Sequence, residues 1–324
     1  MFVTNKYMGK KVFIVGNGFD LDLGLHTSYR EFAQCDFWPI KEEDCKKSFL
    51  AQRLEKDKKE NWFDLENSLL DYAQIATDYS EKQKILLPSY YDDKQTYLNV
   101  KNALFKFVSN HELLKAKKES MSAKVLEVIS SNAIFDIVLS FNYTDLGAIC
   151  EKLGYNKIRY KHVHGSCADN SIILGVASNY ELKQDYDYLY KAFDTYYRSP
   201  NVRYALQNVE DVVFYGHSLG RQDFDYFQDF FMSCCKEGMK QEDSVNITFF
   251  TKDEDSELQL KRQLRSMISE GYGRLVDGNK VRFIHSTDME SGDFVEFLER
   301  MRDIQIDNMR KRNSHGIRIR GVDF

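Results

Sequence analysis

Residues 11–15, Lys-Val-Phe-Ile-Val, run straight into Gly16-Asn17-Gly18. A short run that is continuously apolar, without alternation, is a strand covered on both faces. The two glycines then force a tight turn at its end. Runs of the same type recur at 134–141, 158–163, 171–175, 211–216, 245–250 and 281–284. Between them the spacing changes to that of helices. Trp62, Leu65, Leu69, Tyr72 and Ala76 share one face, with Asn61 as the expected N-cap. Phe224, Phe227, Phe231 and Cys234 share another, as do Phe294, Phe297, Met301 and Ile304. Residues 258–268 are helical and stop near Gly271. Buried strands alternating with amphipathic helices predict an α/β fold: a doubly wound, mostly parallel, Rossmann-like sheet.

One interval breaks the rhythm. About 120 residues separate the first strand from the second, too many for a single crossover. We therefore expect an inserted helical subdomain over 40–130, with the α/β domain built from 10–39 and 131–308. A second helical excursion is expected within 176–208, where Tyr186, Leu189, Phe193 and Tyr197 fall in phase. Residues 309–324, with Arg310, Lys311, Arg312, Arg318 and Arg320, read as a solvated basic tail.

Composition excludes several classes. A net charge of −5 argues against a general nucleic-acid surface. No apolar run approaches the roughly 18 residues of a membrane span. The first residues carry charges with no apolar stretch behind them, so a secretory signal is not expected. The six cysteines are scattered and none forms C-x-x-C, which reads as reduced thiols of a cytoplasmic protein with no metal site.

In an open parallel sheet, ligands bind beyond the carboxyl ends of the strands. Four unusual polar clusters fall at such ends: Gly16-Asn17-Gly18-Phe19-Asp20, Ser140 to Asp145, His162-Val163-His164-Gly165, and Gly216-His217-Ser218-Leu219 with Asp223 beyond. Gly16 and Gly18 fit a phosphate-cradling turn, provided that Asp20 points away and caps the helix, and equally a plain strand-to-helix turn. Asn142 fits a group orienting a sugar or a water, or a turn-forming Asn. His164 fits a general base, with His162 its competitor on the same strand face, or a structural histidine. Gly216-His217-Ser218-Leu219-Gly220 also matches the G-x-S-x-G elbow of hydrolases. Asp253 or Asp255, then His285, follow in the right order, so a serine esterase using Ser218 is an alternative.

Taken with Leu25-His26-Thr27-Ser28-Tyr29, Asn61-Trp62-Phe63-Asp64-Leu65-Glu66 and Phe141-Asn142-Tyr143-Thr144, these clusters resemble the AbiH bacteriophage abortive-infection family over about residues 11–230. That family in turn resembles the sirtuin-like NAD-binding fold. The resemblance implies NAD as substrate or ligand, without metal. Asn142 and His164 would be catalytic. The nucleotide would draw on Gly16, Asn17, Gly18, Asp20, Ser28, Asp145, Gly165, Gly216, Ser218 and Asp223, with Glu66 within reach of the crevice. Phe19-Asp20 replaces a small residue after the glycines, Asp145 falls one position late, and the zinc ribbon of the deacetylases is absent. Peptide deacetylation is thus disfavoured. N-glycosidic cleavage of NAD to nicotinamide and ADP-ribose remains, beside a non-catalytic NAD or ADP-ribose sensor. A phage-derived or host protein trigger and homo-oligomer formation are compatible with either.

Overall fold

The computed structural model describes residues 9–59, 63–110, 116–131, 134–238 and 241–319. Six parallel strands form one open sheet: β1 Lys10–Val15, β2 Ile137–Ser140, β3 Lys161–His162, β4 Val209–Tyr215, β5 Asn246–Thr251 and β6 Lys280–His285. Their order is β3-β2-β1-β4-β5-β6. This is the doubly wound order that reverses direction beside β1, where such sheets open a crevice.

Strand pleating explains why both faces are covered. Val12 and Ile14 point to one face, Phe13 and Val15 to the other, and each set joins a separate core. The first core packs the Phe224–Ser233 and Glu254–Ile268 helices against the sheet. The second packs Met121–Ser131, Leu146–Leu153 and the start of Gly292–Ile319 against the opposite face. Register partners Phe214, Phe249 and Phe283 stack across β4, β5 and β6 with interplanar angles of 22° and 18°. These offset aromatic contacts fix the register of the outer strands.

A third core lies off the sheet. Phe49–Asp57, Leu65–Gln83 and Tyr90–Ser109 form helices whose apolar stripes meet one another. Leu65, Leu69, Tyr72 and Ala76 are all buried there. The helix starts at Leu65, where the Asp64 carboxylate accepts from the amides of Glu66 and Asn67 and caps it. Asn61 and Trp62 lie outside the described residues.

Two further expectations are revised. Residues 171–175 are not a strand. They run through the third core, where Ile172 and Leu174 are buried and their backbone pairs with His164 and the Tyr97 hydroxyl. The 176–208 excursion is largely irregular, with 3₁₀ turns at Gln184–Leu189 and Lys191–Phe193. Tyr186 and Leu189 are buried in the third core, while Phe193 is 62% exposed. The third core thus draws on residues 32–108 and 172–190, while 121–131 packs on the sheet. Finally, the stretch from 309 continues a helix to Ile319, with residues 320–324 outside the described set. Among the described residues no helix is long and apolar enough to cross a membrane.

Candidate functional site

The four polar clusters do fall at neighbouring strand ends, those of β3, β2, β1 and β4. At the β1 and β4 ends, two glycine turns press together. The Gly18 amide donates to the Gly216 carbonyl at 2.9 Å. Gly216 has φ +64°, and a Cβ there would sit 2.3 Å from the Phe19 nitrogen. A Cβ on Gly16 would sit 2.5 Å from the Cα of His217. The glycines therefore serve first to let one strand end pack on the other.

Behind this turn lies a first buried network. Asp20 is fully buried, and its carboxylate accepts from Asn142 Nδ2 at 2.8 Å and from the Thr144 hydroxyl at 2.8 Å. Asn142 Nδ2 also donates to the Gly16 carbonyl at 3.1 Å. Burial pushes Asp20 up to about 7, against the pull of those hydrogen bonds. Asn142 thus ties the end of β2 to the turn after β1. Asn17 is exposed, and its Oδ1 accepts from Thr27.

A second network surrounds Asp223, in the turn before the Phe224–Ser233 helix. His164 Nε2 lies 3.1 Å from Asp223 Oδ1, and His217 Nε2 lies 3.5 Å from Oδ2. Lys191 is 2% exposed, with Nζ 2.8 Å from Glu66 Oε2 and 3.6 Å from Asp223 Oδ1. The Phe141 ring meets both histidines edge-on, at 4.3 Å from His217 and 5.3 Å from His164, and dries the space between them.

The electrostatics are set by this crowding. Burial would raise Asp223, but Lys191 and the two histidines outweigh it and hold the carboxyl below its usual range. Burial would lower Lys191, but Glu66 and Asp223 hold it protonated. Burial raises Glu66, with Lys191 opposing. Burial and Lys191 lower His164, and burial lowers His217 to about 4, so both are neutral near pH 7.

Neutral imidazoles have defined tautomers here. The Leu219 amide donates to His217 Nδ1 at 3.0 Å, so the proton sits on Nε2. His164 presents its Nε2–H to an ionised Asp223, so its Nδ1 carries a lone pair. That Nδ1 is buried and has no hydrogen-bond partner among the described residues. A carboxylate orienting a histidine whose other nitrogen is bare is the arrangement of an oriented base.

The remaining expected residues have local tasks. Ser28 caps the Tyr29–Gln34 helix in a capping box with Glu31. Asp145 caps the Leu146–Leu153 helix and accepts from the Tyr160 hydroxyl at 2.6 Å. Gly165 has φ +77°, and its open side is filled by the Ser171 carbonyl. Its lack of a side chain accommodates the chain itself. His162, the rival base, bonds the Asn142 carbonyl through Nδ1 at 3.0 Å. Ser218 is exposed, while the left-handed backbone at this turn falls on Gly216 and Leu219. His285 Nε2 is engaged by Glu257 at 2.6 Å, two strands from β4, so His285 is not paired with Ser218. Lys191 carried no sequence signal. A buried lysine is indistinguishable in sequence from a surface one, and the Tyr-rich segment around it hid its destination.

No curated protein and no solved structure gives a significant match. The family model described as bacteriophage abortive infection AbiH matches residues 12–242, a span that takes in all four strand-end clusters, Glu66, Lys191 and Asp223. This chain belongs to the AbiH family of bacteriophage abortive infection.

Proposed function

We propose that the protein acts in anti-phage defence by cleaving the N-glycosidic bond of NAD, with His164 as base. The observation that carries this reading is the His164 imidazole, oriented by Asp223 and bare at Nδ1. In the proposed reaction the bond from ribose C1′ to the nicotinamide nitrogen breaks and its electron pair leaves with nicotinamide. Water adds to the oxocarbenium-like C1′ and gives its proton to His164 Nδ1, yielding ADP-ribose. Asn142, whose Nδ2 is fixed by Asp20 and the Gly16 carbonyl, offers its Oδ1 to a ribose hydroxyl or the water. Gly16, Asn17, Gly18, Gly216 and Ser218 line the β1–β4 side and would face the phosphates and the adenosine half.

His164 is only 5% exposed, so substrate reaches Nδ1 only when the surrounding chain opens. That favours an enzyme silent until triggered. It equally favours a second reading, a non-catalytic sensor whose ligand is held by the same residues. NAD measured by chromatography in phage-challenged cells separates the two. Wild type is expected to deplete NAD. Asn142→Ala and His164→Ala should slow depletion by roughly 10²-fold or more, and Asp223→Asn, which leaves His164 without its orienting charge, by a similar factor. Protection with NAD intact replaces hydrolysis by the sensor. Depletion lost in His162→Ala but kept in His164→Ala transfers the base to His162.

A further inference from the structure

An open cleft of about 390 Å³ lies between segment 177–207 and the 222–226 stretch that leads into the Phe224–Ser233 helix. That volume falls within the roughly 300–1,000 Å³ of small-molecule sites. Lys191 lines it, and Lys191 is 3.6 Å from Asp223, so the cleft adjoins the His164–Asp223 pair.

Gln222 on its wall is 4% exposed. Its Oε1 accepts from the Ala177 amide at 2.9 Å. A backbone N–H can only meet an oxygen, so the orientation of this side-chain amide is fixed. Its Nε2 is buried with no hydrogen-bond partner among the described residues. A buried NH₂ group left unpaired beside a cleft is a donor awaiting an acceptor.

The other walls define that acceptor. Tyr197 and Tyr226 supply aromatic surface. Lys191 is committed to Glu66 and Asp223, while Arg203 gives its Nε to the Asp225 backbone carbonyl at 2.7 Å and lies 4.0 Å from the Asp229 carboxylate. A flat, uncharged ring fits both the tyrosines and the Gln222 donor.

We propose that this cleft binds an uncharged, planar heteroaromatic ring bearing a carbonyl acceptor, which accepts from Gln222 Nε2. Two sources share that chemistry: nicotinamide, uncharged once its glycosidic bond has broken, and an oxo-nucleobase. The placement beside His164 favours nicotinamide, and for that link the inference rests on the NAD reading above.

The test is calorimetric titration of the full-length protein at pH 8 with nicotinamide, inosine, ADP-ribose and NAD. Gln222→Glu keeps an acceptor for the Ala177 amide and loses the donor. Ala192→Trp fills the cleft from an exposed position on its lining. Ring binding is expected to weaken at least about tenfold in both variants, with ADP-ribose affinity unchanged. A preference for inosine assigns the ring subsite to a nucleobase and separates it from NAD cleavage. Failure of wild type to bind either ring compound overturns the inference, as do variants that leave ring binding intact or weaken ADP-ribose equally. If ring binding is insensitive while challenged cells still lose NAD, the cleft assignment falls and hydrolysis stands. Variant-sensitive ring binding without NAD loss does the reverse.

Discussion

Asp20 shows how a single buried charge sets a pH dependence. Its folded value of about 7 lies above the 3.8 of an ordinary Asp. Between those values the folded state binds more protons than the unfolded one, so stability from this group is complete below about pH 4 and is lost as pH rises through 7. His217 acts in the opposite sense. Its folded value of about 4 lies below 6.5, so its share is complete above 6.5 and is lost as pH falls. In Asp20→Asn the amide oxygen accepts from Asn142 and the amide nitrogen donates to the Thr144 hydroxyl. This variant is expected to exceed wild type in stability at pH 8, by up to about 4 kcal/mol, and to match it near pH 4. Urea denaturation at the two pH values measures this. A variant weaker at both shows that Asp20 is ionised and stabilising. At this scale the sequence was informative where a residue type is rare at a strand end. Asn142, His164 and Asp223 stood out for that reason. Asp145 stands out equally, and Ser28 enters through the family resemblance, yet both cap helices, because capping and ligand binding favour the same residue types.

Elements followed the hydrophobic pattern wherever burial was two-sided. The strands at 10–15, 209–215 and 246–251 are buried on both faces, and no other local structure buries such a run as well, whereas the edge strand at 280–285 buries only Ile284. The segment 171–175 has the same composition but its backbone is claimed by His164 and Tyr97, which nothing local encodes. The junction of the β1 and β4 turns gives the test at this scale. Gly216→Ala places a Cβ against the Phe19 nitrogen at a left-handed φ, and backbone cannot yield as a flexible side chain does. We expect a loss of about 2–4 kcal/mol, read from the urea midpoint. A change within 0.5 kcal/mol, the scatter of neutral surface substitutions, would show that the two turns are not in tight contact.

Across the whole molecule, the Asp223 network joins pieces that belong to different cores. Glu66 comes from the helical layer and Lys191 follows a segment buried in that layer, while His164 lies beyond the end of β3 and Asp223 in the turn before the Phe224–Ser233 helix that packs on the sheet. Sequence could not show this, because the partners lie 125 and 32 positions apart and meet only through packing. Lys191→Met leaves two buried carboxylates without their cation. The expected cost is about 3–5 kcal/mol at pH 8. It should shrink at pH 5, because Glu66, already raised by burial, then protonates. Adding Glu66→Gln should recover part of the loss, and the double-mutant cycle in urea reads the coupling. A cost equal at both pH values, with no coupling, removes the ion pair from the account.

The Lys191–Glu66 contact makes the helical layer and the strand-end crevice two ends of one linkage. Any macromolecule that grips the layer and shifts this contact changes how firmly the crevice holds its occupant. Reciprocity then requires the occupant to alter the grip by the same factor, tenfold for each 1.4 kcal/mol of coupling. On the proposed function, an infection signal at the helical layer and a metabolite in the crevice would report on one another.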